Sequence, residues 1–167
     1  MNWVLNAALY QGIWFVSVLG GNDHIWAGLL LLLSHFYFSP CRRADGILVA
    51  LLLGIGLLLD GTLGGIGFFR FNADGFPIPL WLMLIWMALA TLPNHSLSWI
   101  KHRPVLAALF GMTGGPLAYW AGERLGAAAF QWPLVESLLL LALIWGLLMP
   151  AIMLMSLYLL PIKRHAA

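Results

Sequence analysis

Charge is the scarcest component of this chain: Asp, Glu, Lys and Arg make up 8% of it, against about 25% in soluble domains. With 62% hydrophobic residues and a mean hydropathy of +0.93, that deficit excludes an ordinary water-soluble globule and leaves an integral membrane protein. The eight Lys and Arg form no block, and the net charge is only +2, so no nucleic-acid partner is expected. Cys41 is the single cysteine, which excludes an intrachain disulfide and CxxC chemistry. Arg42 and Arg43 beside it favour a thiolate, but the residue reads as a bystander. No Lys or Arg precedes the first apolar run, and no small-x-small cleavage site follows it, so the opening stretch reads as a retained helix and not a signal peptide. No cofactor motif is present. His95 and His102 lie two helical turns apart, too far for the i, i+4 pairing of HExxH sites, and no His–carboxylate pair has chelating spacing. Neither metal nor cofactor is expected.

What the chain has is apolar runs of membrane length. A span needs about 20 such residues, with a range of about 17–25. The predicted fold is all-α, a single transmembrane domain over 1–167 with about six helices in three hairpins, at 2–19, 25–38, 46–63, 78–99, 104–125 and 133–160. Breaks fall at Gly20–Asp23, Ser39–Pro40, Asn72–Pro77 and His102–Pro104. Pro104 and Pro133 suit a helix's first turn. Six spans put Arg42, Arg43, Lys101, Arg103, Lys163 and Arg164 on one side and only Arg70 and Arg124 on the other. By the positive-inside rule both termini are cytoplasmic. Five of the acids then lie toward the outer side, leaving Asp45 inside.

The densest segment is Gly111–Gly126 (GMTGGPLAYWAGERLG). At helical spacing, Gly111, Gly115, Ala118, Gly122 and Gly126 form one small-residue stripe, of the kind that admits a close neighbouring helix in membranes. The expected neighbour is the third helix, through its own glycines, with Pro116 bending the fifth near its middle. Asp60, an acid inside a span, is a candidate functional residue by default. Tyr119 and Glu123 share a face one turn apart, so Asp60 and Glu123 are expected to line one outer polar pocket. Arg124 offers Glu123 a partner at the interface. The loop Gly64–Pro77, with four phenylalanines around Arg70, reads as a headgroup-level anchor or a lid over that pocket.

On the inner side His95 is a candidate general acid or base, with Asn94 and Ser96 expected to satisfy carbonyls freed by a helix break. Gln11 and His35, near mid-membrane, are candidate interhelical hydrogen-bond partners. Glu136 in a first helical turn complements the helix dipole.

Several of these stretches resemble a bacterial inner-membrane family catalogued as domain of unknown function 2878. The resemblance runs from about Asn6 to Gly126. It rests on Gln11, Trp14 and Phe15; on Gly56–Asp60; on Pro79, Trp81 and Trp86; on Asn94–Leu97 with Trp99; and above all on Gly114–Trp120 with Gly122. It implies a multi-pass inner-membrane protein and supplies no activity. Association with fatty-acyl modification points to membrane lipids, and to a membrane-associated lipid-modifying enzyme, as expected partners. The first functional expectation is therefore assistance in modifying or handling membrane lipids, either as an enzyme using His95, Asp60 or Glu123 or as an accessory subunit. The alternatives are a small proton- or ion-coupled transporter and a non-catalytic scaffold, and the oligomeric state is open.

Overall fold

A computed structural model describes residues 1–159 of the chain. Leu160, the expected end of the last span, and the basic pair Lys163 and Arg164 lie outside the described residues. Helices dominate: α1 (Trp3–Gly20), α2 (Ile25–Phe38), α3 (Arg42–Gly65), α4 (Leu80–Leu89), α5 (Pro104–Arg124) and α6 (Leu134–Leu159). Three segments are long and apolar enough to cross a membrane: Trp3–Phe38, Arg42–Gly65 and Leu134–Leu159. The first of these folds back on itself through a short 3₁₀ turn at Gly21–His24, so that α1 and α2 pack side by side.

Four predicted helices match closely, and two differ. The helix expected over 46–63 begins four residues earlier, at Arg42, which brings Asp45 into its first turn. The helix expected over 78–99 is regular only from Leu80 to Leu89. Pro93 has no N–H for the helical ladder and its ring collides with the preceding turn. The chain from Ala88 to Lys101 instead tightens into turns, with Thr91 N–H donating to Ala88 O at 3.0 Å, His95 N–H to Leu92 O at 3.0 Å and Ser98 N–H to His95 O at 3.2 Å.

The fold is also not purely helical. Phe69–Phe71 (β1) and Ala128–Phe130 (β2) form an antiparallel ribbon, with Arg70 opposite Ala129. Both strands are delivered by glycine-ended helices. Gly67 and Gly126 take φ of +72° and +81°, a region that favours glycine. At the end of α5, Ala127 N–H donates to Gly122 O and Gly126 N–H to Glu123 O, each at 2.9 Å. Phe68 and Gly67 make the same pair of bonds to Leu63 and Gly64 at the end of α3, the Schellman pattern. Gly126 therefore terminates its helix and is no part of a packing stripe.

Nor do the glycine faces of α3 and α5 meet. A Cβ placed on Gly56 of α3 would lie 2.4 Å from the Trp86 ring, and one on Gly115 of α5 would lie 2.2 Å from the Trp145 ring. Trp86 and Trp145 stack on each other, with centroids 5.5 Å apart and planes within 16°. The order is thus α3 glycine, α4 indole, α6 indole, α5 glycine. Each indole buries a large apolar area, which two glycine faces in direct contact would not supply. Gly111 meets the backbone of α6 itself: its Cβ would sit 2.1 Å from Trp145 O.

Gly111→Ala and Gly114→Ala therefore separate cleanly. The first forces two helix backbones apart and is expected to cost about 1–3 kcal/mol, the range of core overpacking. The second places its Cβ no closer than 3.8 Å to Phe110 and should be near neutral. Thermal unfolding of the detergent-solubilised variants, followed by circular dichroism, measures both; equal melting of the pair would contradict this packing.

Candidate functional site

Two wholly buried carboxylates on α3, Asp45 and Asp60, sit about 22 Å apart along the helix axis at about 1.5 Å per residue. Each gathers partners from other elements.

Asp60 lies one turn beyond Gly56, so the Trp86 ring that lies over the glycine presents its N–H to the carboxylate: Trp86 Nε1 donates to Oδ2 at 2.7 Å. Tyr119 of α5 donates its hydroxyl to Oδ1, also at 2.7 Å. The Tyr119 ring is covered in turn by Phe69 of β1, stacked at 5.2 Å and 9°. Phe68 and Phe69 are buried and Arg70 is exposed, so the ribbon closes over this end of the molecule. Glu123 does not join Asp60. Its Oε1 accepts from Phe130 N–H at 3.4 Å and holds β2 to α5. The expected shared carboxylate pocket is thus replaced by an Asp60–Tyr119–Trp86 triad, because Tyr119 and Trp86 already supply one donor to each Asp60 oxygen. Arg124 is exposed and makes no ion pair among the described residues.

Asp45, at the other end, collects more. Its Oδ2 receives His35 Nε2 at 3.1 Å, His95 Nε2 at 2.9 Å and the Ser39 hydroxyl at 2.5 Å. Its Oδ1 accepts from Asn94 Nδ2 at 2.8 Å. Cys41 Sγ lies 3.6 Å from Oδ1 and 3.6 Å from His95 Nε2. Lys101, itself buried, donates Nζ to Asn94 Oδ1 at 2.5 Å, so the Asn94 amide relays the lysine's positive charge toward the carboxylate. Burial lowers the Lys101 pKa, opposed by the neighbouring Cys41 and Asp45. Burial, together with the Asp45 charge, raises that of the Cys41 thiol. A Cys–His–Asp nucleophile relay does not fit here. In that relay the two imidazole nitrogens face opposite partners, whereas His95 presents one nitrogen, Nε2, to both Asp45 and Cys41.

Asn6 of α1 completes this end. Its Oδ1 accepts from Ser96 N–H at 3.0 Å, and its Nδ2 lies 3.3 Å from both Thr91 O and Thr91 Oγ1 and 3.4 Å from His35 Nδ1. The backbone groups freed by the break after α4 are therefore served by Asn6 and by the hydroxyls of Thr91 and Ser98, which donate to Ala88 O and His95 O, not by Asn94 and Ser96 as expected; Asn94 is committed to Asp45 and Lys101. His35, Asn94 and His95, predicted separately, converge on one centre. Its hub, Asp45, was read only as the one acid on the inner side, just ahead of the expected third helix. It is the lone acid on the basic side of the predicted topology, and that isolation was the available signal.

Between the two levels lies a cavity of about 720 Å³. Trp14 and Tyr10 of α1, Trp86 of α4, Tyr119 and Gly122 of α5 and Trp145 of α6 contribute to its wall, and Gln11 reaches it from α1. Trp3, Phe15, Phe110 and Leu117 also line it and are exposed, so its mouth is apolar. The buried Trp145 Nε1 hydrogen faces the Tyr119 hydroxyl oxygen but makes no well-aligned hydrogen bond among the described residues.

Long apolar helices, charged groups buried only with partners, and a cavity with an apolar rim define a helical membrane protein. The chain belongs to the family described as "Protein of unknown function (DUF2878)", whose model matches residues 3–151. No curated protein and no solved structure matches it.

Removing the Asp45 carboxylate strands several buried donors at once. Asp45→Ala is expected to destabilise the protein by about 3–5 kcal/mol, the cost of breaking a buried polar pair by deleting one partner. Thermal melts of the purified variant report it, and a loss below about 1 kcal/mol would show that the cluster is not a structural hub.

Proposed function

We propose that this is a six-span inner-membrane protein, with both termini cytoplasmic, that binds a lipid acyl chain within the bilayer and thereby assists the modification or handling of membrane lipids. The cavity carries this reading. Its volume of about 720 Å³ falls in the roughly 300–1,000 Å³ range of small-molecule sites, and its wall is almost wholly aromatic and aliphatic. An apolar mouth suits entry from hydrocarbon, since opening it to water would expose Trp3, Phe15 and Leu117 at a cost of about 25 cal/mol per Å². The Trp145 N–H, which makes no well-aligned hydrogen bond among the described residues, gives one donor for an oxygen of the ligand, such as an acyl carbonyl. An unpaired buried donor carries a penalty of about 1–3 kcal/mol, which a bound acceptor relieves.

The placement of the polar groups supports the proposed topology. The Asp45 level holds Lys101 and the Arg42–Arg43 pair, which suits the cytoplasmic face. The Asp60 level and the ribbon, with Arg70 and Arg124, suit the outer face. The roughly 22 Å between the two carboxylates fits within a hydrocarbon core of about 30 Å. Asp60 itself stands behind the cavity wall, where it fixes Trp86 and Tyr119. That placement favours a positioning role over the proton- or ion-carrying role that a transporter would require of it.

Gly122 supplies a clean test, because a Cβ there meets nothing within 4 Å among the described residues and the residue lines the cavity. Gly122→Phe should fill the space without disturbing the helices. In liposomes containing a phospholipid with a photoreactive acyl chain, wild-type protein is expected to be labelled at cavity residues of α1 and α5. The variant should lose that labelling several-fold while melting within a few degrees of wild type. Labelling spread over the outer helix faces, and indifferent to Gly122→Phe, would sink the proposal. A deletion strain whose acyl-chain and headgroup profile is unchanged under membrane stress would separately remove the role in lipid modification.

A further inference from the structure

The Asp45 centre has more hydrogen donors than its carboxylate can serve. An ionised carboxylate offers about four lone-pair positions. Five side chains converge on this one, namely His35, Ser39, Cys41, Asn94 and His95, with four of them reaching the single oxygen Oδ2. Two of the four are imidazoles, each turning a ring nitrogen toward the same point, and one is a thiol.

We infer that His35, Cys41, Asp45 and His95 form a binding site for one divalent transition-metal ion of the zinc class, held by two imidazole nitrogens, a carboxylate oxygen and a thiolate sulfur.

The separations fit for the two imidazoles and the carboxylate, with the thiol close by. With zinc bonds of about 2.0–2.2 Å to nitrogen and oxygen and about 2.3 Å to sulfur, neighbouring ligands of a tetrahedral site stand roughly 3.3–3.6 Å apart. The nitrogen–oxygen separations are 2.9 and 3.1 Å, and the sulfur lies 3.6 Å from His95 Nε2 and 3.7 Å from Asp45 Oδ2. The ligating atoms of His35, Asp45 and His95 all lie within 4.8 Å of one another, and Cys41 Sγ stands outside that group, on the side away from His35. Opening the three by a few tenths of an ångström and swinging the Cys41 side chain toward His35 admits the ion. Imidazole with thiolate is a donor set suited to zinc, and a single thiolate and carboxylate neutralise its two charges.

The surroundings match a metal centre's outer layer. Ser39 and Asn94 hold the Asp45 carboxylate. Metal on His35 Nε2 places that ring's hydrogen on Nδ1, facing Asn6. Turning the Asn6 amide to accept it costs the bonds to Ser96 N–H and to Thr91 O, and this, with the swing of Cys41, is the rearrangement the site requires. Four protein ligands leave no open coordination position, which assigns the ion a structural role: it fastens α2, the start of α3 and the turns after α4. The inference does not depend on what occupies the cavity.

The test uses the full chain purified in detergent, stripped with chelator and reloaded with Zn²⁺ or Co²⁺. The expected results are about one zinc per chain by elemental analysis, a rise in melting temperature on loading, and a cobalt form with visible d–d bands and a near-ultraviolet thiolate-to-cobalt band. Cys41→Ser should abolish the thiolate band, and His95→Ala should weaken binding at least ten-fold. Folded wild-type protein that takes up no metal above a mock-loaded control overturns the inference, as does a thiolate-free cobalt spectrum identical in wild type and Cys41→Ser. If His95→Ala does not fold, the wild-type stoichiometry and the Cys41→Ser spectrum still decide.

Discussion

The stacked pair of indoles, Trp86 on Trp145, is the contact from which the rest of the arrangement follows. It sits between Gly56 of α3 and Gly115 of α5, so one aromatic layer joins four helices. Apolar side chains gain nothing by leaving lipid for one another, and helices in membranes associate through close packing and hydrogen bonds. Flat rings against glycine provide the first, and the Trp86 N–H reaching Asp60 provides the second. With Trp86 fixed, Tyr119 can close on the remaining Asp60 oxygen, and Phe69 can stack over Tyr119. The ribbon of β1 and β2 thus inherits its position from a contact several layers below it.

The same layer shapes the cavity. Trp86, Tyr119 and Trp145 are both packing elements and wall, while Gly122, one turn beyond Ala118, leaves space that no side chain fills. The small residues of α5 therefore divide their work along one face. Gly111 and Gly115 receive α6, Gly122 opens the cavity, and Gly126 ends the helix. A stripe that looks uniform in one dimension meets four different environments in three.

The Asp45 centre is built on the opposite principle, with polar groups from α2, the connection to α3 and the turns after α4 brought to one carboxylate, and Asn6 of α1 set behind His35. Pro93 makes this possible. By stopping the helix it frees the chain to turn, and the turn carries Asn94 and His95 inward while Asn6, Thr91 and Ser98 serve backbone groups the break exposes. A continuous helix through 90–100 would have left those side chains on different faces.

Composition and turn chemistry were enough to identify a membrane protein, to place four helices within a residue or two, and to single out His35, Asp60, Asn94, His95 and Tyr119. These are local properties: an apolar run, a proline, or an acid inside hydrocarbon carries its physical consequence wherever the chain goes. The partners were not legible. The expected meeting of α3 with α5 failed because glycine spacing shows that something fits closely, without showing whether it is a helix or an indole. The expected Asp60–Glu123 pocket failed because Tyr119 and Glu123 share a helical face but are separated by what packs on it. The absence of chelating spacing likewise had no bearing on Asp45, whose companions come from residues 35, 39, 41, 94 and 95. Side chains fifty or more residues apart become neighbours only through the packing of whole helices, and that packing depends on all the contacts at once.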